Sequence, residues 1–172
     1  DWYPFVVPYQ SGEGWILHNP WFYGEHLVYD VADFDVTVSF TDGAAPQIAA
    51  SGAEVASGLA ASRKFELEAG RTFALSISTD YKVATQTVGN VKVFAYYFAF
   101  YDEEGEALLQ TTAQALQVFS EKFGPYRHKT MTAVQGDFND GMEYSAFYFI
   151  SRDYFNLYDG TPVNYLVTIG AH

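Results

Sequence analysis

The hydrophobic period of this chain changes once, and that change constrains its fold more than any other feature. Up to about residue 100, apolar and polar residues alternate. In Asp33-Phe34-Asp35-Val36-Thr37-Val38-Ser39-Phe40, the side chains of Phe34, Val36, Val38 and Phe40 share one face, as in a half-buried antiparallel strand. Further strands are expected at Gln47 to Ala50, Arg63 to Leu67, Thr72 to Ser78, Tyr81 to Thr87 and Val91 to Phe100. They are separated by turns such as Thr41-Asp42-Gly43, Glu68-Ala69-Gly70-Arg71 and Val88-Gly89-Asn90. After the acidic stretch Asp102-Glu103-Glu104-Gly105-Glu106, apolar residues instead recur at steps of three and four: Leu109, Ala113, Leu116, Phe119 and Phe123. That spacing predicts a single amphipathic helix over 106–123, ended by Gly124-Pro125.

The expected fold class is therefore α+β, with an antiparallel β-sandwich-like domain over 1–101 and a mixed domain opening at 102–172. A strand at Thr130 to Val134 should follow the helix, then a turn at Asn139-Asp140-Gly141. A second strand should carry Met142, Tyr144, Ala146 and Tyr148 on one face and Glu143, Ser145, Phe147 and Phe149 on the other. Helical character returns from Pro162 to His172.

With 172 residues, 49% hydrophobic and 19% aromatic, the chain has ample material for a core. A net charge of -12 with only nine scattered Lys and Arg argues against a nucleic-acid partner, because binding phosphates needs clustered cations. No window approaches the roughly 20 apolar residues of a membrane span. Zero cysteines exclude disulfides and cysteine metal sites while leaving the compartment open. The aromatics Trp2, Tyr3, Trp15, Trp21, Phe22 and Tyr23 read as core cover over a sheet, although a carbohydrate platform would use the same residues. His18 and His26 fall at no metal-ligand spacing.

Glu143 is the only charge from Gly141 to Ile150. A carboxylate at the mouth of an apolar strand is costly to bury unless a cation pairs with it. Two readings stay open: a rim residue in water, or a group awaiting a cation brought by a ligand.

Four segments, Phe119-Ser120-Glu121-Lys122-Phe123-Gly124-Pro125-Tyr126, Val134-Gln135-Gly136-Asp137-Phe138, Gly141-Met142-Glu143-Tyr144 and Ile169-Gly170-Ala171-His172, together resemble the M1 zinc aminopeptidases (gluzincins) in order and spacing. The resemblance covers residues 100–172 and, more loosely, 30–100. It implies the later part of an N-terminal β domain followed by the start of a thermolysin-like catalytic domain. It also implies that Glu143 binds the α-amino group of a peptide substrate and that the backbone at Gly141 and Met142 lines that substrate. His172 would be the first ligand of zinc, held in such enzymes by two histidines and a glutamate around an open position. The chain departs from the family pattern at Tyr144, where Asn is commonest, at Asp140, where a small residue is usual, and at Ser145, where Pro is frequent. Asp140 would add a second carboxylate near the amine site. The remaining zinc ligands, the general-base Glu and the catalytic Tyr of that family have no counterpart through His172, so this stretch alone is expected to be inactive and to bind no zinc. His128, beside Arg127 and Lys129, reads as a solvated side chain. The competing reading of different class is a non-catalytic β-sandwich binding or adhesion module that uses its aromatics on a glycan or protein.

Overall fold

A computed structural model describes residues 2–17, 29–41 and 46–172. His18, His26, Trp21, Phe22, Tyr23 and the Asp42-Gly43 turn lie outside the described residues. The fold is α+β, mostly sheet, with three helices among the described residues. None of these helices is long and apolar enough to cross a membrane.

In the N-terminal half, β1 (Tyr9–Gln10) and β2 (Gly14–Trp15) form a small ribbon. β3 (Ala32–Ser39), β6 (Ser62–Gly70) and β5 (Ala53–Val55) make an antiparallel sheet in the order β3-β6-β5. β4 (Gln47–Ala50) pairs antiparallel with β7 (Leu75–Ser78). The alternation read in β3 is real: Phe34, Val36 and Val38 pack with Phe65 and Leu67 of β6, Ile48 and Ala50 of β4, and Phe73 in one core. The aromatic cover is wetter than expected. Trp2 is 55% and Trp15 58% exposed, so neither is core, whereas Tyr3 is partly buried against that cluster.

The second sheet has the order β11-β12-β10-β9-β8 and spans residues 81 to 151. β8 (Tyr81–Val88) and β9 (Val91–Phe98) form a hairpin, and α1 (Asp102–Phe123) carries the chain from β9 to its parallel neighbour β10 (Thr130–Gly136). β12 (Phe147–Ser151) runs parallel to β10, and β11 (Gly141–Tyr144) lies antiparallel outside it as an edge strand. α2 (Arg152–Asn156) and α3 (Tyr165–Ala171) follow. β10 is buried at six of its seven positions, as a strand flanked on both edges and covered on both faces must be.

One face of this sheet packs under the helices through Val93, Ala95 and Tyr97 of β9 with Leu108, Leu109 and Ala113 of α1. Phe155 of α2 and Leu166 of α3 complete that layer. The opposite face, with Tyr96, Val134 and Phe147, meets Ala49 and Ala74 of the N-terminal half.

Two boundaries differ from the sequence reading, while the end of α1 at Gly124 agrees with it. α1 begins at Asp102, so Asp102, Glu103 and Glu104 form its first turn, where carboxylates favour the helix dipole. Gly124 ends it at φ 108°, ψ 168°, a backbone that strains any residue with a Cβ. The strand expected to run unbroken from Met142 is instead a hairpin, β11 and β12 around Ser145-Ala146. Ala146 takes φ 58° and sits 5% exposed in the N-terminal core, and its burial holds the reversal in place.

Candidate functional site

β11 closes its hairpin with a two-residue loop, so the closing pair Tyr144 and Phe147 exchanges both backbone hydrogen bonds. The pairing then alternates: Met142 bonds to Phe149, while Gly141 and Glu143 direct their N–H and C=O groups away from β12. Because β11 is the sheet edge, those four groups lie on its free side.

Side chains directly opposite share a face, so Gly141 and Glu143 lie on the same side as Ile150 and Tyr148. This is the helix-covered side, where Ile150 packs with Leu108 and Leu166. The Tyr148 hydroxyl stands 2.7 Å from Thr112 Oγ1. Thr112 donates its own proton to the Leu108 carbonyl at 2.7 Å, so Tyr148 is the donor between the two hydroxyls. Burial pushes the Tyr148 phenol up, and it stays neutral. This pair ties β12 to α1.

α3 is placed by two devices. The Asn164 side chain caps it, accepting from the Leu166 N–H at 2.9 Å and donating to the Leu157 carbonyl at 2.8 Å. At its other end Gly170 lets the helix approach α1. A Cβ there would meet Leu108 Cδ1 at 3.2 Å, Thr111 Cγ2 at 3.6 Å and the Tyr148 hydroxyl at 3.6 Å. His172, the C-cap, donates its N–H to the carbonyls of Thr168 and Ile169.

These elements enclose a cleft of about 590 Å³ between the C-terminal half of α1, the edge strand β11 and the end of α3. Gly141, Met142, Glu143 and His172 all line it. Sequence reading did not anticipate the opposite wall, formed by Leu116, Phe119 and Phe123 of α1. Phe119 and Phe123 are 46% and 85% exposed, in the stripe that the helix spacing would place on a buried face. Arg127 and Glu143 are the full charges of the lining. Among the described residues the Glu143 carboxylate accepts no hydrogen bond and pairs with no cation.

Asp140 is not part of this lining. It sits at φ 71°, and its Oδ1 accepts from the Tyr154 hydroxyl at 3.1 Å. Its carboxylate is thus engaged with α2, beside the tilted ring pair Tyr154 and Tyr165. His128 is partly buried rather than freely solvated, and burial followed by the nearby Arg127 holds its pKa below the ordinary histidine value.

Among the described residues no three His, Cys, Asp or Glu side chains cluster as a metal would require. One imidazole does not hold zinc, which takes three or four protein ligands. In comparisons with known proteins, no protein-family model matches the chain and no curated protein matches it.

Proposed function

We propose that the chain is part of a zinc-dependent aminopeptidase of the M1 type, in which the N-terminal sheets belong to a β domain and the mixed sheet with α1 to α3 opens a thermolysin-like catalytic domain. The boundary expected at residues 101–102 then falls before β8, because β8 and β9 pair into that sheet. The observation that carries this reading is the Glu143 carboxylate, unpartnered among the described residues, on a free strand edge and in one cleft with His172. An extended peptide adds to such an edge through main-chain hydrogen bonds, here to Gly141 and Glu143. Its terminal ammonium then meets the Glu143 carboxylate in a charge-assisted hydrogen bond, which selects free N-termini over blocked ones. The zinc part of the reading rests on the resemblance around His172 alone.

The test is Glu143→Gln in the encoded protein, assayed on a free-amine peptide and its N-acetylated form. With the bound peptide covering the exposed Glu143 carboxylate, loss of the charge pair should cost about 2 to 5 kcal/mol in catalytic efficiency on the free amine, while thermal melting barely moves. Unaltered preference for the free amine would remove Glu143 from the role. An encoded sequence without Glu-x-x-His directly after His172 would remove the zinc.

The second reading, a binding module, has one observation in its favour: Tyr9 and Trp15 meet edge to face on the β1–β2 ribbon and are 63% and 58% exposed. Glycan binding abolished by Trp15→Ala, together with no peptidase activity, would establish it.

A further inference from the structure

The turn that follows Glu143 is tied to a segment more than seventy residues earlier in the chain. Ser145 Oγ accepts from the backbone N–H of Arg71 at 2.9 Å and of Thr72 at 3.2 Å. In return the Ser145 N–H donates to Thr72 Oγ1 at 3.0 Å. The next residue, Ala146, plugs the N-terminal core and accepts from the Thr132 N–H at 3.0 Å. Among the described residues no other strand flanks β11 on its outer side, so beyond its pairing with β12 its position is set at its ends: by this lock after Tyr144 and by the Asp140 to Tyr154 bond before Gly141.

We propose that Ser145 and Thr72 are positioning residues that fix the Glu143 edge strand for amine recognition, coupling the N-terminal sheets to the cleft. This rests on the aminopeptidase reading for its functional half. The chemistry is specific to these side chains. A proline at 145, frequent in the resembled family, has neither the hydroxyl nor the N–H and would make none of the three bonds. The lock is therefore a feature of this chain, and the N-terminal half contributes to the site without lining the cleft.

Four variants separate the lock from the fold. Thr72→Val removes one partner hydroxyl, Thr72→Ser keeps it, Ser145→Ala removes the acceptor, and Ser145→Pro removes every bond while suiting the second position of a tight turn. In this chain, amide exchange at Met142 and Tyr144, both bonded to β12, should rise about five- to tenfold in all but Thr72→Ser, which should match the parent. Melting curves identify any variant that fails to fold, and the Thr72 pair then decides.

In the encoded enzyme, Thr72→Val should raise KM for free-amine substrates about tenfold with kcat within about twofold, and Thr72→Ser should restore it. Unchanged exchange overturns the lock. Faster exchange with unchanged KM overturns its role in recognition. A protein that cleaves no free-amine substrate sinks the peptidase reading and the recognition role with it, while the exchange result still decides the tether.

Discussion

β3 and β10 are strands of similar length built on opposite plans. β3 keeps one face wet, and with β5 and β6 it carries its charges there: Lys64 reaches Asp35 at 2.8 Å and Glu66 at 2.9 Å, and Arg63 grips Glu54 at 2.7 Å. β10 carries no charge, and two of its polar side chains bond inward to backbone. Thr132 donates to the Ala50 carbonyl at 3.1 Å, and Gln135 Oε1 accepts from the Phe98 N–H at 2.8 Å. The first plan makes a cover that tolerates surface change. The second makes a platform whose displacement is costly, because its inward polar groups would lose partners that water cannot replace. The candidate site sits on the platform's edge, where paired strands place a carboxylate that is unpaired among the described residues.

The sharpest way to break this contrast is Phe147→Ala. Phe147 is fully buried where the second sheet meets Ala49 and Ala74 of the cover. Truncating it should cost about 3 to 5 kcal/mol, a large part of a domain's stability. If the halves form one cooperative unit, denaturant unfolding stays a single transition with a lower midpoint. Two separated transitions would show that the cover and the platform fold independently.

Next in size are two glycines, one from each half. A Cβ at Gly52 would stand 2.6 Å from the backbone oxygen of Glu66, and neighbouring strands cannot part for it, so Gly52→Ala should cost about 3 kcal/mol. A Cβ at Gly105 would press into the ring of buried Tyr97, also a clash. In the α1 interior, however, alanine recovers about 1 kcal/mol of helix propensity, so Gly105→Ala should cost only about 1 to 2. Urea midpoints of the two variants give the ranking, and a more damaging Gly105→Ala would place the less yielding packing under α1.

The same contrast explains what was legible beforehand. A strand with one wet face writes its period into the sequence, so β3 and its neighbours could be read directly, as could α1 from its steps of three and four. The β11–β12 reversal could not, because Ser145 is a weak turn signal on its own and Ala146 is not a residue that usually takes a positive φ. The positive φ of Ala146 is held by a core assembled from distant strands. β5 and α2, three and five residues long, are too short to show a period. Glu143 stands out as a lone charge, but its sharing a cleft with His172 rests on tertiary contacts, among them the close approach of α3 to α1 at Gly170. Local sequence alone left Glu143 as either a rim residue or a ligand-binding group. The resemblance implies the second; Glu143 is exposed on β11, as a rim residue also would be, and the Glu143→Gln comparison decides between the two.

The smallest expected effect concerns the connection between the halves at His128, whose ring stands edge to face 5.5 Å from Tyr126. Burial, and then Arg127, lower its pKa in the folded chain, while a backbone contact from Glu68 of β6 pulls the other way. Because the folded value lies below the unfolded one of 6.5, the unfolded chain binds a proton first as pH falls. The contribution of His128 to stability is therefore complete above about pH 6.5 and is lost as the pH drops from there through the folded value. Thermal melting of the parent between pH 7.5 and 5.5, two settings chosen to bracket about one unit either side of the ordinary histidine value, should show a downward slope that His128→Gln reduces. The slope should be small, because His128 is only partly buried and water screens Arg127. If His128→Gln leaves the slope unchanged, the proton is taken up elsewhere, and the contact between β6 and the segment leading into β10 is indifferent to the charge of His128.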